Sequence, residues 1–190
     1  MEPDNLFISY MKKFVFLVGL LLTVVHNVQA QFILTPNGLK CEDNSDYIIL
    51  TFEGKQQEDL FNSVHLFAGA KFVSPHDVIS VSGKEQITLN GVVSNIPWRN
   101  PVSKQCSFNF TITFMFKDGR IRINTPSINR IYTSGREISL VQANPLITDG
   151  VFKKNGSTYS PGTKEGIEIF FNALVENVKQ YIIQDAATDW

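Results

Sequence analysis

The sequence predicts an α+β domain: an antiparallel sheet of about five strands with two helices packed on one face, in the order β-α-β-β-β-β-α. Three observations carry this reading. Cys106, Phe108, Phe110, Ile112, Phe114 and Phe116 alternate with Ser107, Asn109, Thr111, Thr113, Met115 and Lys117, the period of a strand with one largely aromatic and one mostly polar face. Asp118-Gly119 then supplies a two-residue hairpin turn, and Ile121 and Ile123 resume the alternation beyond it. Two further stretches repeat apolar residues every three or four positions, which lays them along one stripe of a helix.

Taken in chain order, residues 1–30 read as an export leader. Lys12 and Lys13 precede an uncharged apolar run over 14–25, and Val28-Gln29-Ala30 suits a signal peptidase that cuts before Gln31. That run falls well short of the roughly 20 residues a membrane-spanning helix needs. Met11 is then the expected true start, and the mature chain carries no expected membrane span. Residues 31–45 read as an N-terminal linker, in which Glu42, Asp43 and Asp46 form a solvated acidic cluster. It lacks the glycine and closing bidentate glutamate of a calcium loop. A single domain is expected over 46–185.

Within that domain the first strand covers 47–53, with Ile48, Leu50 and Phe52 on one face. A helix over 57–72 follows, its stripe made by Leu60, Phe61, Val64, Phe67, Ala68 and Phe72. Glu58 and Asp59 lie in its first turn, where negative charge complements the helix dipole, and Pro75 blocks continuation. Strands over 78–81 and 86–93 are joined through Ser82-Gly83-Lys84-Glu85. Gly91 inside the second of them signals a bulge or a close backbone approach. A loop over 95–104, holding Pro97 and Pro101, leads into the aromatic strand. Residues 124–163 are irregular, with 138–141 and 151–153 as candidate short strands. The closing helix starts at Pro161 behind Ser160. It turns Ile167, Phe170, Phe171, Leu174, Val178, Tyr181 and Ile182 inward, and Glu165, Glu168, Asn172, Glu176 and Lys179 to the opposing side.

Several of these segments carry a resemblance. The leader ending at Ala30-Gln31, the early helix around Leu60-Phe61, the strand running into Phe116-Lys117-Asp118-Gly119-Arg120-Ile121-Arg122, Phe152-Lys153-Lys154-Asn155-Gly156, and Ile169-Phe170-Phe171-Asn172-Ala173-Leu174 together resemble an exported bacterial family. It is a domain of unknown function with a TATA-binding-protein-like (TBP-like) fold, and the resemblance covers most of 44–183. It implies a curved antiparallel sheet with helices on one face. No activity and no functional residue comes with it, and a fold shared with a DNA-binding protein does not imply DNA binding.

Composition bounds the function. A formal net charge of −1 over 190 residues argues against nucleic acid, which selects a basic face. Cys41 and Cys106 leave two alternatives: one disulfide, worth up to about 4 kcal/mol across so long a loop, or two small buried hydrophobes. Ser74-Pro75-His76-Asp77 holds three triad-type residues too close in sequence to reach triad geometry, and reads as a turn. His65 has no second His or Cys at metal spacing. Asn109-Phe110-Thr111 and Asn155-Gly156-Ser157 match the glycosylation pattern, which is discounted in a chain of bacterial type. Trp98-Arg99, in the proline-flanked loop, has the composition of interface anchors; Trp98 folded back over the sheet edge is the alternative. With no catalytic constellation, no metal site and no cofactor expected, the reading is an exported, non-enzymatic binding or interaction module of the cell envelope, periplasmic or secreted, acting on an envelope protein. The alternative is a carrier whose many Phe residues line a cavity for a small hydrophobic ligand; an enzyme ranks third.

Overall fold

A computed structural model describes residues 32–98, 104–143 and 150–187. The leader and Arg99 lie outside the described residues. The chain runs β1 (Phe32–Thr35), β2 (Gly38–Cys41), β3 (Tyr47–Thr51), α1 (Gln57–Lys71), α2 (Pro75–Val78), β4 (Ile79–Ser82), β5 (Gln86–Trp98), β6 (Lys104–Lys117), β7 (Arg120–Asn124), β8 (Ser127–Thr133), β9 (Arg136–Val141), β10 (Gly150–Phe152) and α3 (Pro161–Ala187). The α+β class holds, but the main sheet has eight strands, not about five.

β6 organises that sheet because it is long enough to serve two partners on one edge. β5 lines its other edge from Gln86↔Met115 to Trp98↔Lys104. The free edge is shared: the first half pairs β8 from Cys106↔Thr133 to Thr111↔Ser127, and the second half pairs β7 from Phe114↔Ile123 to Lys117↔Arg120. β3 adds outside β7, β4 outside β5, and β9 and β10 outside β8. β10 runs parallel to β9, an exception to the antiparallel expectation. Gly119 takes φ 71° in the β6–β7 turn, and Ser134 and Gly135 both take positive φ in the β8–β9 turn, as tight two-residue hairpins require.

Alternation places Phe108, Phe110, Ile112, Phe114 and Phe116 on the face covered by α1 and α3, all at most 2% exposed. Phe110 meets Phe170 and Phe171 at 5.2 and 5.5 Å between ring centroids. Phe61 stacks edge-on against Phe116, and Phe67 joins the two helices through Tyr181. Such edge-to-face pairs add to the gain from burial. These rings pack against one another in the core. Gly91 is the close approach its position signals: a Cβ there would stand 2.6 Å from Phe110 Cε1.

Residues 31–45 are not a bare linker. β1 and β2 pair as a hairpin from Phe32↔Cys41 to Thr35↔Gly38 and bury Phe32, Leu34, Leu39 and Cys41. The reason lies on α3. Asn172 accepts from the Phe32 amide (2.9 Å) and donates to its carbonyl (3.0 Å), while Glu168 accepts from the Leu34 amide (2.7 Å) and pairs with Lys164. Residues expected on the solvent side of the helix thus bond the edge of β1. The acidic cluster forms a turn in which Asp43 accepts from the Ser45 amide, and the Ser45 hydroxyl first, then that amide, lower its pKa.

Of the loop expected over 95–104, residues 95–98 and 104 are strand, because β5 extends through a bulge between Val93 and Ile96, with Asn95 at φ 64°. Ser74, His76 and Asp77 belong to a single helical turn closed by backbone bonds to the Ser74 carbonyl. Asp118, in the β6–β7 turn, caps α1 by accepting from the Gln57 amide.

Candidate functional site

The anchor expected at Trp98 is absent: its side chain is 6% exposed. It falls on an inward position of β5, two residues after Ile96. The strand end is docked on α3, where the Thr163 hydroxyl donates to the Pro97 carbonyl at 2.7 Å and Ile96 lies against Gly166. Trp98 therefore belongs to the core, as the fold-back alternative had it.

Cys41 and Cys106 are both buried and both free, so the disulfide alternative is not realised. Each thiol has its own neighbour: Cys41 Sγ lies 3.7 Å from the Thr125 hydroxyl, and Cys106 faces the Thr163 hydroxyl. Burial pushes the Cys106 thiol up, outweighing the lowering by Thr163, which leaves it protonated and weakly nucleophilic. His65 is exposed and stacks on Phe61. No group of three metal-ligating side chains occurs among the described residues, and none of their helices is long and apolar enough to cross a membrane.

What remains is the face of the sheet opposite the helices, where the outward residues of β3 to β8 lie. Across its middle runs a hydroxyl and amide lattice. Gln86 donates to Thr88, whose hydroxyl lies 3.2 Å from that of Thr113; Thr111 donates to Asn90 (2.7 Å) and accepts from Asn129 (3.1 Å). These polar positions need no cover, and their mutual bonds fix the side chains before any ligand arrives.

At one end of the face the composition changes. The register sets Arg122 between Ile49 and Met115, and Arg120 between Thr51 and Lys117. Arg122 lies 4.1 Å over the Tyr47 ring and donates to Asn124. Ile49 is 50% exposed, and Tyr47 and Met115 are 39% exposed. Together with Glu85 they line a cleft of about 350 Å³. Lys117, Arg120 and Arg122 make no ion pair with a described residue. Arg130, further along the face, donates to the Tyr132 hydroxyl, which with Glu137 raises its pKa further. Sequence reasoning left this face open to water or a partner but did not single out its cationic end. The signal was present in the alternation of Arg120 and Arg122 with Ile121 and Ile123.

Among the described residues, an eight-stranded sheet carries the long helices on one face and none on the other, an α+β domain. One solved structure agrees in fold. A TBP-like protein from Parabacteroides distasonis superposes with a TM-score of 0.50 at 12% identity, over 72% of this chain and 90% of that one. A DUF4468 family protein from Bacteroides ovatus gives 0.48 at 10% identity, over 72% and 82%. At 12% identity the first likeness shows the fold alone, the one implied by the resemblance in sequence. No family model matches the chain, and no curated protein matches it significantly.

Proposed function

We propose that the protein is an exported, non-enzymatic binding module of the cell envelope that engages its partner through the open face of the sheet. One observation carries this reading: the face is left bare by both long helices, yet its side chains are fixed by mutual hydrogen bonds and flanked by exposed Tyr47, Ile49 and Met115 beside three cations that have no acidic partner among the described residues. Aromatic, methionine and arginine side chains are those that interface centres favour. The Lys12-Lys13 leader pattern supports export. The function thus moves from the Trp98-Arg99 loop to the sheet, because a buried Trp98 cannot anchor a partner.

A photo-reactive amino acid placed at Thr113 in the native host tests this. Adducts to one envelope component from Thr113, with none from the exposed helical position Leu66, are the expected result. Equal labelling from both, or none from Thr113, refutes it. Intact mass of the mature protein tests export, with a start at Gln31 expected.

A further inference from the structure

We propose that β3 is an acceptor edge, to which a partner adds an extended strand carrying glutamate side chains toward Arg120 and Arg122. This deepens the open-face reading and rests on it.

Bonding phase is the first ground. The Phe52 amide donates to the Gly119 carbonyl (2.7 Å) and the Thr125 amide to the Asp46 carbonyl (2.8 Å). In an antiparallel pair, such bonded positions alternate with unbonded ones. Ile48 and Leu50 therefore turn their backbone groups to β7, whereas Tyr47, Ile49 and Thr51 turn theirs outward. Ser45 donates to the Tyr47 carbonyl at 2.8 Å. Both groups of Ile49 and both of Thr51 have no partner among the described residues.

The second ground is the contrast with other edges. β1 has its backbone bonded by Asn172 and Glu168. β4 and β10 are shorter, at four and three residues against five in β3. Edge strands are usually blunted by lysine, proline or an inward charge; Tyr-Ile-Ile-Leu-Thr has none of these.

Charge names the occupant. The residues whose backbone points outward also place their side chains on the open face, so an added strand would present its own alternate side chains beside Tyr47, Ile49 and Thr51. Arg120 and Arg122 then lie two strand spacings away, about 10 Å, a distance that a glutamate and an arginine can bridge together and an aspartate bridges less well. In the cleft three cations, Lys117, Arg120 and Arg122, meet one carboxylate, Glu85, and these cations favour an acidic segment. They disfavour a second copy of this chain, whose identical cations would face them.

A blocked dodecapeptide of alternating Glu and Val is the probe, with a Lys-Val peptide as control and binding to the full mature chain followed by amide NMR shifts. Shifts at Ile49 and Thr51 are expected, with affinity at least tenfold weaker for Ile49→Pro and for Arg120→Glu/Arg122→Glu, and no binding by Lys-Val. Proline at 49 removes only an outward amide, so the β3–β7 ladder stays intact. Should that variant be unstable, the wild-type chain with a peptide N-methylated along its bonding edge gives the same reading. Binding indifferent to Ile49→Pro and to N-methylation overturns strand addition. So do absence of Glu-Val binding, equal Lys-Val binding, dimerisation through β3, or preference for oligothymidylate. Cross-linking from position 113 is read in the native host with β3, Arg120 and Arg122 unchanged, so it can succeed where the peptide fails, and the two ideas fall separately.

Discussion

Replacing Gly91 with alanine should destabilise the domain, and changing Phe110 should abolish that cost. Gly91 and Phe110 are direct cross-strand partners. A Cβ at 91 would stand 2.6 and 2.7 Å from two ring atoms of Phe110, against an ordinary carbon contact of about 3.5–4.0 Å. Something must move by about 1 Å. The ring cannot easily do so: it is 1% exposed and bounded by Phe72, Phe108, Phe170 and Phe171 at centroid distances of 6.5, 6.3, 5.2 and 5.5 Å. Overpacking of this kind costs roughly 1–3 kcal/mol, offset by about 0.5–1 kcal/mol because alanine has less backbone freedom to lose than glycine. The expected net loss for Gly91→Ala is about 1 kcal/mol, or roughly 2–4 °C in Tm for a chain of this size. Leucine at 110 lacks the clashing ring atoms, so in a Phe110→Leu background the same change should be neutral or slightly stabilising. Urea unfolding of the four proteins measures the coupling, expected at about 1.5 kcal/mol or more. Additivity within about 0.5 kcal/mol, or a neutral Gly91→Ala in the native background, would refute this account of the glycine.

Three other outcomes follow from the packing. Trp98→Ala should cost roughly 3–5 kcal/mol, seen as a large drop in thermal midpoint, whereas an exposed anchor would leave it almost unchanged. Asn172→Ala removes both bonds to the Phe32 backbone, at about 1–3 kcal/mol; hydrogen exchange should show residues 32–41 losing protection while β5 and β6 keep theirs. Cys41 and Cys106 should both alkylate after denaturation without reductant and resist alkylation when native. Since the folded Cys106 thiol is raised by burial, it keeps its proton where the unfolded chain releases one. Stability should therefore fall as pH rises above the ordinary thiol range, and Cys106→Ala should flatten that fall in urea titrations at several pH values.

Alternation and periodicity, which depend only on the chain's own geometry, determined the class of fold. β6, the Asp118-Gly119 turn, α1 and α3 are legible because each repeats its pattern over several residues without interruption. β8 escaped because its pattern breaks. The register shifts opposite Asn109 and Phe110, so Ile128 and Ile131 are three apart and an alternation of two cannot be seen. The hairpin at 32–41 does alternate, but short strands are stable only against a partner, and that partner is Asn172 and Glu168 on a helix more than a hundred residues away. Trp98 illustrates the same limit: a proline-flanked tryptophan reads equally as an anchor or as core, and the docking of Pro97 on Thr163 decided it. The cationic end of the open face likewise belongs to the tertiary structure. Net charge is a sum over the whole chain, whereas binding responds to the few charges that pairing of β3, β7 and β6 brings to one place.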